Sequence, residues 1–181
     1  MDTETAVCAV VAFPLLEPED KQWIESIRAK HDPEAKTIAA HMTLVFPAVL
    51  PLRTTETLIA RVAHATEPIR FALRRAAVVP DGFGAGGHVF LLAEDGRDAL
   101  AGLHERLYEG LPQPNAKRQA SLVPHVTVGA NPSVDALDAL VGEINAKALA
   151  IRGSISDVVL IEVTPAGIRQ VAQFPLGGDV R

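Results

Sequence analysis

Apolar residues gather in short runs that alternate, along the chain, with stretches carrying them at helical spacing. The run Ala6 to Phe13, ended by Pro14, predicts a buried strand. In "PEDKQWIESIRAKH", Pro18 suits a first helical turn and Trp23, Ile24 and Ile27 form an apolar stripe, so a helix is expected. The next strand should span His41 to Phe46, closed by Pro47 and Pro51. A helix starting near Thr54 or Thr55 turns Leu58, Ile59, Val62 and Ala63 inward and stops before Pro68. Residues 69–80 read as a strand in which Phe71 and Leu73 share a face that Arg70 and Arg74 avoid.

After the glycine-rich loop "DGFGAGG", the second half retraces the first. His88 to Ala93 predicts a strand, and Arg97 to Tyr108 a helix with Leu100, Leu103 and Leu107 on one face. A long connection then leads to a strand from Leu122 to Val128. Ser133 can cap a helix through Leu137, Leu140, Val141 and Ile144. Two strands, roughly Ile155 to Val163 and Ile168 to Phe174, meet at the turn "TPAG". The repeated order of strand, helix, His-bearing strand, helix and further strand predicts two similar α/β lobes whose sheets face one another across a groove. Residues 1–181 thus read as one compact domain made of two pseudo-repeated lobes.

Each half carries one small polar pattern inside a strand. "HMTLVF" begins at His41 and "HVTVG" at His125, 84 positions later. Residues two apart on a strand share a face, so His41 points with Thr43 and His125 with Thr127, while Met42 and Val126 enter the opposite layer. One such histidine would be read as a satisfied, half-buried polar group. Two copies at matching places suggest paired chemistry on phosphate. One imidazole can take a proton from water while the other delivers one to a departing alkoxide, and each threonine hydroxyl can donate to a nonbridging oxygen.

Composition narrows the partners. Lys and Arg total 17 against 22 Asp and Glu, for a formal charge of −5, so a broad positive field for extended duplex nucleic acid is missing. Aromatic residues make up only 4%, too few for a long stacking platform. The lone cysteine, Cys8, lies in an apolar run and reads as a core residue. No apolar run approaches the ~20 residues of a membrane span, and the amino terminus lacks the positive segment of a secretory signal; a cytoplasmic monomer away from membranes is expected. Neither motif brings the three or four ligands zinc requires, and no cofactor is expected. There is no G-x-S-x-G elbow, and the glycine loop lacks a P-loop ending. His88 has no threonine two places on, His104 reads as a boundary residue of its helix, and His31 and His64 sit near helix ends.

The two H-x-T motifs, their separation and the bilobal order resemble the 2H phosphoesterase superfamily, in particular the bacterial 2'-5' RNA ligase and cyclic phosphodiesterase group. The likeness covers approximately residues 5 to 175. It implies an α+β fold, bilobal and duplicated, with two antiparallel or mixed sheets lining a central groove and helices packed outside. It also implies a metal-independent phosphoric diester hydrolase that opens a 2',3'-cyclic phosphate to a 2'-phosphate. His41 and Thr43 would form one half-site and His125 and Thr127 the other, with His41 as acid and His125 as base. The expected partner is a small nucleotide or an RNA-end phosphodiester; Lys36, Lys117 and Arg118, the basic residues nearest the motifs, are the candidates for binding the rest of it. Relatives of the RNA-ligase type often carry an arginine after the second motif, whereas Gly129-Ala130-Asn131 follows here, which counts against a polynucleotide ligase substrate. The alternative is a noncatalytic phosphate- or nucleotide-binding module using the same groove.

Overall fold

The structure is a computed structural model that describes residues 4–81, 86–112 and 122–177. Its central strand, β1 (Thr5–Ala12), shows why that segment is apolar without interruption. Cys8, Val10 and Ala12 point into the main core and Ala9 and Val11 to the opposite face, all at most 2% exposed.

The described residues build two sheets. The first has the order β3-β1-β8-β9, with β3 at Met42–Pro51, β8 at Asp157–Thr164 and β9 at Gly167–Pro175. The second runs β2-β7-β4-β5-β6, with β2 at Leu15–Leu16, β4 at Ile69–Pro80, β5 at Gly87–Asp95, β6 at His125–Asn131 and β7 at Ile151–Ile155. Every pairing among the described residues is antiparallel, so the expectation of antiparallel or mixed sheets resolves to the former. Each sheet draws strands from both halves of the sequence.

The helices cover the outer faces. Helix α1 (Pro18–His31) packs on β6, and α4 (Val134–Asn145) lies on β4, β5 and β6. Helix α2 (Leu52–His64) lies on β9, β8 and β3, while α3 (Arg97–Gly110) lies on β3, β4 and α2. The expected stripe of Leu100, Leu103 and Leu107 is fully buried. Ser133 caps α4 as anticipated, its hydroxyl accepting from Ala136 N at 3.4 Å. Asn131 serves the same helix start, its side-chain oxygen accepting from Ser133 N at 2.8 Å.

The structure departs from the sequence pattern at several points. Strand β3 continues through Pro47 to Pro51 instead of closing at Phe46. It tolerates Pro47 because β3 is an edge strand and its pairing with β1 is irregular there, Val45 facing Val10 and Ala48 facing Cys8. Strand β6 begins pairing only at His125, not at Leu122, and extends to Asn131. Strands β2 and β7 are additions, too short and too polar in part to announce themselves. His104 is buried at 1% exposure, not a boundary residue: its ring Nδ1–H donates to Leu44 O at 2.6 Å. Tyr108, one turn on, accepts from Phe46 N at 3.1 Å, so α3 satisfies two backbone groups of edge strand β3. The glycine-rich loop "DGFGAGG" lies mostly outside the described residues.

Candidate functional site

The two H-x-T segments lie at the rims of different sheets, Thr43 on β3 with His41 immediately before that strand and not within it as expected, and His125 and Thr127 on β6; β3 ends one sheet, β6 ends the other, and the two strands touch. Their registers place Thr43 beside Val11 of β1, and His125 and Thr127 beside Leu92 and Phe90 of β5. Met42 and Val126, at 1% and 0% exposure, anchor each motif in the core, so alternation turns the His-Thr pairs the other way. A cavity of about 320 Å³ lies between the sheets and is lined by His41, Thr43, His125 and Thr127 together. Ala9, Val11 and Ile161 give it an apolar floor.

Both imidazoles are held in the same way. His41 donates from Nδ1 to Ala39 O at 2.9 Å, and His125 donates from Nδ1 to Val123 O at 2.6 Å. A carbonyl only accepts, so Nδ1 carries hydrogen in each ring and Nε2 is the nitrogen left for chemistry. The bond to the carbonyl two residues back repeats the relation in both halves. Neither threonine hydroxyl is engaged in a hydrogen bond among the described residues, so both can donate to a ligand.

Burial pushes both rings toward the neutral form. For His125 burial comes first, with the positive fields of His41 and His88 adding to it against the opposing pull of Val123 O, and its pKa falls to about 4. For His41 burial again dominates; Arg28 works in the same direction, while the bond to Ala39 O and the carboxylates Glu34 and Asp32 oppose it. The site therefore holds one imidazole, His125, that stays neutral down to about pH 4 with Nε2 free to receive a proton, and another, His41, also lowered from the ordinary range.

Several contributors carry no sequence signal. Phe90 lies face to face with His125, ring centroids 3.5 Å apart and planes 11° from parallel. His88 is on the other side of Phe90, with centroids 6.0 Å apart, and its Nε2 is 3.0 Å from Asp81 Oδ1. Asp32 and Glu34, from the short 3-10 turn after α1, line the cleft, whereas Lys36 at the end of that turn is exposed and does not line it. Lys117 and Arg118 lie outside the described residues. A larger groove of about 850 Å³ adjoins the cleft through Phe46, His88, Phe90 and His125, and runs over β5 to Arg97. Only the pairing of β5 with β6 makes Phe90 a neighbour of the second motif.

Behind His41, Arg28 forms a buried brace. It is 1% exposed, bonds Asp32 at 2.9 Å, Glu25 at 3.0 Å and Ile38 O at 2.9 Å, while Glu25 also accepts from Ala40 N at 2.7 Å. Helix α1 thus grips the backbone of residues 38–40 immediately before the catalytic candidate. Among the described residues no group of three or more His, Cys, Asp or Glu is placed to hold a metal ion. No helix among them is long and apolar enough to cross a membrane.

Comparison with known proteins agrees with this architecture. A family model described as the 2'-5' RNA ligase superfamily matches residues 16–165. LigT of E. coli in apo form superposes with a TM-score of 0.66 at 16% identity, covering 97% of this chain and 100% of that one. LigT complexed with 3'-AMP gives 0.64 at 17% identity, with 97% and 100% coverage. Usb1 of Kluyveromyces marxianus gives 0.62 at 12% identity, covering 94% of this chain and 98% of that one. No curated protein matches the sequence. At such identities the structural likeness speaks for the fold.

Proposed function

This chain belongs to the 2'-5' RNA ligase superfamily, of 2H phosphoesterase type, and from that premise we propose that it is a metal-independent cyclic phosphodiesterase working on a 2',3'-cyclic phosphate or related nucleotide phosphodiester. Membership supports a phosphoesterase activity in general; the pair of imidazoles, each with Nδ1 tied to a carbonyl and both lining one cleft, is the observation that carries the finer reading.

The ester phosphorus sits between the two Nε2 atoms. His125, the more strongly depressed ring, is neutral across the working range and takes a proton from water as the water oxygen attacks phosphorus. The bond from phosphorus to the 3'-oxygen breaks, and that oxygen takes the proton from Nε2 of protonated His41, leaving a 2'-phosphate. Thr43 and Thr127 donate to the nonbridging oxygens as charge accumulates on them. After turnover His125 holds the extra proton and His41 lacks one, and exchange with solvent resets the pair. The sugar and base occupy the rest of the cleft and the adjoining groove. Binding of nucleotides by neighbours of the same fold, LigT with ATP and 3'-AMP and Usb1 with uridine monophosphate, supports a nucleotide as the substrate's organic part.

The test is hydrolysis of 2',3'-cyclic AMP by purified protein, with the product identified by phosphorus NMR. The parent should form the 2'-phosphate, and His41→Ala or His125→Ala should each lower kcat by roughly 10²–10⁴. Binding of the nucleotide with no turnover above a mock preparation would instead mark a noncatalytic binding module. Equal turnover in parent and both variants would remove the histidines from the mechanism.

A further inference from the structure

Phe90 lines the cleft and the groove but neither moves a proton nor donates to phosphate in the mechanism above, yet its ring is stacked on one of the two imidazoles. Its position follows from the sheet. Between β5 and β6 the register slips, Val89 facing Gly129 but Phe90 facing Thr127, so β6 spends an extra residue there and bends. Beyond the slip Leu92 faces His125, and Phe90, on the same face of β5, reaches it diagonally. The result is the parallel stack at 3.5 Å.

Resting on the proposed role of His125, we infer that Phe90 is a positioning residue for that imidazole, and that His88, pinned to Asp81, backs Phe90 from the other side. A histidine on an open rim has two soft torsions. The bond from Nδ1 to Val123 O fixes one edge of the ring but leaves rotation about that line. A flat ring laid on the imidazole face removes that rotation, so Nε2 keeps one direction across the cleft. The same ring forms the wall between cleft and groove, and its removal would open the imidazole face to the water of a cavity of about 850 Å³. His88 keeps Phe90 from swinging out along the strand. Asp81 Oδ1 lies 3.0 Å from His88 Nε2, and Asp81 N donates to Gly86 O at 3.1 Å, so the end of the β4–β5 hairpin is held at both points.

A role in positioning separates from a role in binding by its kinetic signature. Displacement of a reacting group by about 1 Å costs on the order of 10²-fold in rate. Phe90→Leu keeps an apolar side chain but no flat face, and should lower kcat on 2',3'-cyclic AMP by about 10- to 100-fold with KM changed less than threefold. Phe90→Tyr keeps the flat face and should restore kcat to within about threefold of the parent. Water reaching the ring also relieves the burial that holds His125 near 4, so the acidic limb of kcat/KM and the NMR titration of His125 should both move to higher pH in Phe90→Leu. The other groups that bear on this ring are unchanged in that variant: His41, Asp32 and Glu34 in the cleft, His88 with Asp81 above, and Arg75, Glu94 and Arg97 along the groove.

Parental kcat with an unmoved titration in Phe90→Leu would overturn the inference, and so would a rise in KM alone, which would make Phe90 a substrate contact. Thermal melts of each variant identify loss of folding. If the parent shows no turnover, the function fails but the NMR titration still decides whether Phe90 governs His125.

Discussion

Replacing Arg28 with Met tests whether the brace behind His41 holds both fold and site. The volume is roughly kept, so packing changes little, and three contacts go: to Asp32, to Glu25 and to Ile38 O. Their losses differ. Glu25 is 31% exposed and still accepts from Ala40 N, so water replaces much of what it loses. Asp32 is 4% exposed and keeps one bond, from Glu34 N at 3.0 Å, leaving a nearly buried carboxylate without its cation. Ile38 O is left without a donor, worth about 1–3 kcal/mol. Breaking one side of a buried charged pair costs about 3–5 kcal/mol in general, and the partial rehydration of Glu25 places the sum near the lower end, about 3 kcal/mol. For a chain of this size 1 kcal/mol moves Tm by about 2–4 °C, so a drop of roughly 6–12 °C is expected in calorimetry. Turnover should fall as well at temperatures where the variant is folded, because Ala39 O, which orients His41, belongs to the released segment. Adding Asp32→Asn should recover part of the lost stability by removing the stranded charge. A destabilisation under about 1 kcal/mol, with parental kcat, would show that the brace neither stabilises the fold nor positions the histidine.

The remaining expectations are briefer. Thr43→Val and Thr127→Val should each cut kcat/KM for 2',3'-cyclic AMP by about 10²-fold, chiefly through kcat; unchanged kinetics would deny the hydroxyls a part in charge stabilisation. Because the proposed mechanism needs His125 neutral and His41 protonated, kcat/KM should be bell-shaped with its maximum between pH 4 and 6.5, falling at alkaline pH as His41 deprotonates below its ordinary 6.5; a plateau to pH 8 would contradict it. Folding stability has its own pH dependence: the unfolded chain binds protons that the buried rings refuse, so stability is complete above pH 6.5. It declines as pH falls toward 4, by up to about 3 kcal/mol for His125, read from urea titrations at stepped pH. Tyr108→Phe removes the acceptor for Phe46 N and should cost about 1 kcal/mol in the same titrations.

Elements long enough to show a period were readable: α1 spans Pro18–His31 and β4 spans Ile69–Pro80 as the apolar spacing indicated. So was the pairing of His41 with Thr43 and of His125 with Thr127, because a two-residue repeat on a strand fixes a shared face. Partnerships across the chain were not. Arg28 reads as the polar side of an amphipathic helix and becomes buried only because residues 38–40 fold over it with a carbonyl and a carboxylate-held amide. His104 looks peripheral until β3 offers it Leu44 O, and Phe90 looks like one more strand residue until β6 lies beside it. Strand ends at prolines misled for a similar reason: whether Pro47 stops a strand depends on whether that strand has a neighbour on its outer side.

The floor of the cleft joins distant parts of the polypeptide. Ala9 and Val11 come from the earliest strand, and Ile161 and Ile168 from the last hairpin, with β1 seated directly against β8. During synthesis β1 emerges long before the strand that covers its open edge, and such far-apart pairings form slowly. A nascent chain arrested before β8 thus carries both histidines and both threonines without the surface on which a substrate would rest. Ribosome-stalled products of increasing length should gain nucleotide binding abruptly once the closing hairpin clears the exit tunnel, not gradually as each motif appears.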